Sequence, residues 1–201
     1  MKKILILVVA CCLFAISADA QQLNIKPGDV KVEALELEVQ QTPQFQAGGL
    51  KDKNIPNPRD WVELEIEFEV DVRAPDNAVL PELLVKYYVG FKDQSGNGRT
   101  LTGQVIHKNV LVGEETFSAA YISPDTLGEV TGEYRNFQAS DVAGYGVEIF
   151  YNGVLVGLKS SLSGASQKFW EKTGTTAGVL PKHETPFELL WIDRYADVKK
   201  D

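Results

Sequence analysis

The sequence predicts an all-β domain, and three observations carry that reading. From Val62 to Arg73 one phase holds Val62, Leu64, Ile66, Phe68, Val70 and Val72 and the other Glu63, Glu65, Glu67, Glu69, Asp71 and Arg73. A period of two buries one set and leaves the other in water. About eight such stretches follow one another with turn residues between them, which is the spacing of a sandwich or of a barrel. Asn152-Gly153, set between two apolar runs, is a residue pair that accepts the positive φ angles of a type I′ hairpin turn.

Taken in chain order, Lys2 and Lys3, the apolar residues Ile4 to Ile16 and the triplet Ala18-Asp19-Ala20 mark residues 1–20 as an export signal cleaved before Gln21. The apolar run is shorter than the roughly 20 residues a bilayer span requires, and no other segment supplies one. Val8-Val9-Ala10-Cys11 also resembles a lipobox, in which Cys11 would be acylated. The apolar residues 12–16 that would then open the mature chain favour plain cleavage. Cys11 and Cys12 are the only cysteines, so residues 21–201 form one domain without disulfides, stabilised mainly by apolar burial.

In the first strand Val30, Val32 and Ala34 keep one phase and Leu35, Leu37 and Val39 the other, which places a bulge near Ala34-Leu35. The connection 41–60, with Pro43, Pro56, Pro58 and Gly48-Gly49, serves either as a crossover between sheets or as a contact arm for a neighbouring subunit. Beyond strand 61–73, Leu83 to Phe91 and Leu101 to His107 form a hairpin across Asp93-Gln94-Ser95-Gly96-Asn97-Gly98. Thr116 to Ile122 is a strand, and Ser123-Pro124-Asp125 opens a helix that Gly128 limits to one or two turns. Tyr145 to Tyr151 pairs with Val154 to Lys159. Ser163 caps a helix running through Phe169 and Trp170 to Gly174, expected to plug one end of the sandwich. Phe187 to Tyr195 makes the last strand, with Phe187, Leu189, Trp191 and Tyr195 on one packed face.

Charge and chemistry exclude more than they assign. Loss of Lys2, Lys3 and Asp19 takes the net charge from −8 to −9, which repels nucleic acid and anionic membranes. A cationic protein surface or a divalent cation suits that field. There is no G-x-S-x-G elbow and no H-E-x-x-H pair, and the only histidines, His107 and His183, read as a strand residue and a loop residue. No catalytic residue, cofactor or enzyme activity is therefore assigned, and a paired-carboxylate glycosidase stays a third reading. Asp93, Ser95 and Asn97 before Gly98 match half of a calcium loop, but the twelfth position is Gln104, and turn chemistry explains the same residues, so no metal site is assigned. The acidic face of residues 63–71, with Glu36 and Glu38 on a similar face, predicts a staggered register or an intervening basic strand. Trp61, Tyr88, Trp170 and Trp191 are candidates for a sugar-stacking platform. Trp61 and Tyr88 fall opposite their strands' apolar phases and are the candidate binding residues.

Trp61-Val62-Glu63-Leu64, Lys86-Tyr87-Tyr88-Val89, Phe150-Tyr151-Asn152-Gly153-Val154 and Phe169-Trp170, behind a Sec-type signal, resemble the small secreted pilus-like proteins of verrucomicrobial gut bacteria of the Akkermansia type. The resemblance implies an immunoglobulin-like β-sandwich, of about seven to nine strands with one or two short helices, and an association with pilus machinery at the cell surface. It carries no catalytic residues. The chain departs from type IV pilins in lacking a short basic leader followed by a long polymerising helix. The expectation is an exported protein, periplasmic, outer-membrane-associated or extracellular, that works through protein partners or self-association at its edge strands. The alternative is a carbohydrate-binding module for host or mucin glycans.

Overall fold

A computed structural model describes residues 23–45, 55–92, 98–135 and 137–200. The expected signal 1–20 with Cys11, the centre of the 41–60 connection and the hairpin residues Asp93, Ser95 and Asn97 lie outside the described residues. In chain order the strands are β1 (Val30–Gln41), β2 (Asp60–Val70), β3 (Val79–Lys92), β4 (Gly98–Leu111), β5 (Glu115–Ile122), β6 (Val142–Tyr151), β7 (Val154–Ser160), β8 (Thr175–Ala177) and β9 (Leu180–Pro181). They form two packed sheets of order β1-β2-β5-β9 and β7-β6-β3-β4-β8. This is an immunoglobulin-like sandwich, with strands equivalent to A, B and E facing G, F, C and C′. The barrel alternative is thereby removed.

Alternation along β2 builds the core. Val62, Leu64, Ile66, Phe68 and Val70 are fully buried against Leu83, Val85, Tyr87, Val89 and Phe91 of β3 and against Val147 and Ile149 of β6. The bulge in β1 falls between Val32 and Ala34, one residue before its expected place. Asn152 and Gly153 adopt φ of 48° and 79°, as the β6–β7 turn demands. The helix α1 (Pro124–Thr131) starts at Ser123, whose Oγ accepts from the Thr126 N–H at 3.2 Å, and stops at Gly132 in the left-handed region.

Two expected elements are absent. The 163–174 helix is replaced by two single 3₁₀ turns, Gly164–Ser166 and Phe169–Glu171. They lie on the outer face of the second sheet instead of plugging an end. Trp170 stacks on Tyr88 at 4.5 Å, over Gly146, where a Cβ would stand 2.5 Å from the indole. Tertiary packing of one large ring outweighs helix periodicity here.

The strand expected at Phe187 to Tyr195 is a run of turns ending in a 3₁₀ turn, Ile192–Arg194. It meets a strand at its end, where Tyr195 bridges to Phe117 of β5. The buried Lys182 ammonium takes the Glu188 carbonyl at 3.0 Å and the Leu190 carbonyl. Phe187 is buried against the Tyr121 ring at 4.5 Å, whereas Leu189 and Trp191 are 69% and 54% exposed, so the expected packed face does not form.

The chain then runs between the two sheets. Ala196 N–H donates to Phe117 O of β5, while Asp197 O accepts from Lys108 N–H and Lys199 N–H donates to Ile106 O, both of β4. Beneath this strap lies a relay that joins the sheets in place of a disulfide. Tyr87 O–H donates to Ser118 Oγ at 2.6 Å, Ser118 O–H donates to His107 Nε2, and His107 Nδ1–H faces the Ala196 and Asp197 carbonyls at 3.3 Å each. Neutral His107 gives every member of the relay a partner.

Burial holds His107 at about 4, against about 6.5 in an unfolded chain. The folded state therefore binds fewer protons, and this contribution to stability is intact above pH ~6.5 and lost as pH falls towards 4, a difference of about 3 kcal/mol. Urea unfolding between pH 7 and 4 should show that loss, and His107→Gln should flatten it; identical pH profiles for the two proteins would count against the relay. Packing gives a second expectation. Thr102 O accepts from Gly178 and Val179 N–H groups, and a Cβ on Gly103 would lie 1.9 Å from Val179 O. Gly103→Ala should cost about 1–3 kcal/mol in thermal unfolding, and an unchanged melting midpoint would show that the segment shifts freely.

Candidate functional site

The outer face of β1 and β2 carries Glu36, Glu38, Gln40, Glu63 and Glu65, and these line a cavity of about 360 Å³ closed on its far side by Trp191, Arg194 and Tyr195. Neither expected means of separating the acids is used. Glu36 stands directly opposite Glu65, and Glu38 opposite Glu63. Like charges in register are destabilising, and the groups that offset them come from the C-terminal turns. Arg194 Nη2 donates to Glu65 Oε1 at 2.5 Å, with its guanidinium 3.9 Å over the Phe117 ring, and Tyr195 O–H donates to Glu65 Oε2. Tyr121 O–H donates to Glu63 Oε1.

Each of these contacts leaves an electrostatic trace. Burial, more than any neighbour, raises Glu63 above the ordinary carboxylate range, with Glu65 and Glu38 adding to it and the Tyr121 hydrogen bond opposing it. Burial and the Glu65 hydrogen bond push Tyr195 up, and the same causes with Glu63 push Tyr121 up. Both phenols therefore stay protonated donors. Lys182, lowered by burial, lies 4.8 Å over the Tyr195 ring and props the turns from behind. Glu36 and Glu38 have no cation of the described residues bridged to them. Beside the cavity, Leu189, Trp191 and Ile192 form an exposed apolar ridge, 69%, 54% and 61% accessible.

The two residues singled out for binding are not brought together. Trp61 belongs to the first sheet, where its ring meets Phe187 edge-on at 5.6 Å and its Nε1–H donates to Thr42 Oγ1. Tyr88 belongs to the second sheet, buried beneath Trp170, with its hydroxyl donating to Glu148 Oε2 at 3.0 Å and Lys168 bridging the same carboxylate. Tyr88 is thus covered instead of exposed. Of the four aromatic candidates, Trp191, read as a core residue, is the exposed one. Its φ of 48° turns the chain outward, and no strand periodicity could signal that. Gln104, the failed calcium position, pairs with Lys86 in mid-sheet. Among the described residues no cluster of His, Cys, Asp or Glu could hold a metal ion, and no helix is long and apolar enough to cross a membrane.

A protein-family model matches residues 21–201. A crystal structure of a protein from Akkermansia muciniphila matches with a TM-score of 0.75 at 29% identity, over 89% of this chain and 95% of that one. No match is found among curated proteins.

Because Glu63 is raised in the folded state, folding favours its protonated form, and the ionised side chain lowers stability progressively as pH rises above its unfolded value. Glu63→Gln keeps an acceptor for Tyr121 and removes that charge. The variant should melt higher than the parent at pH 7, with the difference closing as pH falls towards about 4.5; a gap that persists unchanged at low pH would contradict the assigned cause.

Proposed function

The chain belongs to the family whose model spans residues 21–201, a group of the Akkermansia type, and from that membership we propose that it is an exported, non-enzymatic cell-surface component acting through protein contacts in a pilus-associated assembly. The observation that carries the proposal is the face built by the C-terminal turns. It sets an acid-lined cavity beside a ridge of exposed Leu189, Trp191 and Ile192. Apolar side chains grouped on a surface and rimmed by charge suit a protein partner.

The buried chemistry supports the same reading. Ser118 and His107 are hydrogen-bonded as a nucleophile and base would be, but they are 0% and 1% exposed, beyond reach of a substrate. The glycan alternative rested on Trp61 and Tyr88, which lie in different sheets and share no platform.

A photo-cross-linking side chain at position 192, in cells that make the full chain, tests the proposal. The mature protein should begin at Gln21 by mass spectrometry, be open to protease on intact cells, and cross-link to an envelope protein from position 192 but not from position 152. Cytoplasmic retention with residues 1–20 attached would overturn it, as would selective glycan-array binding that Trp191→Ala abolishes.

A further inference from the structure

Among the described residues, β1 is an edge strand whose open side is closed over only part of its length. Asp71 N–H donates to Asp29 O, and Thr42 N–H donates to Arg59 O. Between those points the register slips by one residue at Val32/Ala34. Odd-numbered residues therefore bond to β2 before the bulge and even-numbered residues after it. The N–H and C=O groups of Leu35, Leu37, Val39 and Gln41 consequently point away from the sheet. Before the bulge the edge is covered: β7 lies alongside, with Gly28 N–H donating to Val156 O, and the Lys159 ammonium takes the Val32 carbonyl at 3.0 Å and the Glu33 carbonyl. Beyond Ala34 no strand of the described residues pairs with β1 except β2.

The side chains along this open stretch fall into two rows. Leu35, Leu37 and Val39 sit on the core side opposite the fully buried Ile66, Leu64 and Val62, yet they are only partly covered, Val39 being 37% exposed. Glu36 and Glu38 occupy the other side, with Glu65 and Glu63 directly behind them. A second copy of β1, added antiparallel in full overlap, would set glutamate against glutamate, so the edge disfavours its own kind. A strand of opposite charge and the same alternation satisfies both rows.

We infer that the β1 edge from Leu35 to Gln41 is a docking site for an extended segment of a partner protein in which Lys or Arg alternates with apolar residues. This deepens the protein-contact reading above and rests on it. The partner's backbone continues the ladder through the outward groups, its apolar residues cover Leu35, Leu37 and Val39, and its basic residues fall beside Glu36 and Glu38.

The test uses the mature chain and two synthetic nine-residue peptides, one alternating Lys with Val and the other Glu with Val. The Lys/Val peptide should bind, slow amide exchange at Leu37 and Val39 by about tenfold or more, and weaken by about tenfold or more between low and moderate salt. Val39→Pro removes an outward N–H that the sheet does not use, so it should abolish binding while the protein still unfolds cooperatively. Glu36→Lys with Glu38→Lys should switch preference to the Glu/Val peptide, which keeps the test decisive should the proline variant fail to fold. Equal binding of the two peptides, or protection confined to residues outside β1, would overturn the inference and leave the cross-link from position 192 untouched. Loss of that cross-link with peptide docking intact would overturn the surface-contact reading instead.

Discussion

Strict alternation along β2 constrains both sides of the molecule at once. Its apolar phase, Val62 to Val70, is the centre of a sandwich that no disulfide supports, so inward-facing positions are apolar and closely packed. Its other phase is acidic, and the pleat leaves it no choice but to face outward. The architecture of the outer surface follows from that second consequence. Carboxylates paired in register across β1 and β2 need hydrogen-bond donors, and the donors are supplied by Tyr121 on β5 and by Arg194 and Tyr195 after the last strand.

The C-terminal turns accordingly do two jobs with one piece of chain. Lys182 gathers the carbonyls of Glu188 and Leu190, which shapes the turns and projects Trp191 outward. Residues 196–199 then bond to β5 and β4, tying the two sheets together above the Tyr87–Ser118–His107 relay. A chain of neutral donors and acceptors buried between sheets is stable only when every member is satisfied. The strap's own carbonyls complete it, so the surface built by residues 187–195 is anchored in the core.

The acids left over shape the edge of the sandwich. Glu65 and Glu63 receive donors from the C-terminal turns and from β5, while Glu36 and Glu38, the latter accepting from Gln40 Nε2 of its own strand at 3.1 Å, face a groove in which the ridge and the open backbone edge are neighbours. An edge strand with acidic residues on one face resists pairing with copies of itself. The same charges make it selective for a basic strand, so protection and recognition have one physical origin.

Local pattern was legible wherever backbone geometry depends on nearby residues. The β2 alternation, the Asn152-Gly153 turn and the Ser123 cap could be read directly because each is settled within a few positions of sequence. The candidate site was only half legible, since the acidic row was visible but its partners were not. Tyr88 read as exposed because alternation reports the face of a strand and cannot report that Trp170, brought from far along the chain, covers that face. Residues 187–195 read as a strand because Phe187, Leu189, Trp191 and Tyr195 alternate, yet a buried lysine gathers their carbonyls into turns, and a strand is met at the end of the run, where Tyr195 bridges to Phe117 of β5. The sequence by itself determined the long strands β1 to β7 and which face of each is apolar. Only the tertiary structure decided which outward faces are covered, which acids find donors and which edge stays open, because those outcomes depend on contacts between residues far apart in the chain.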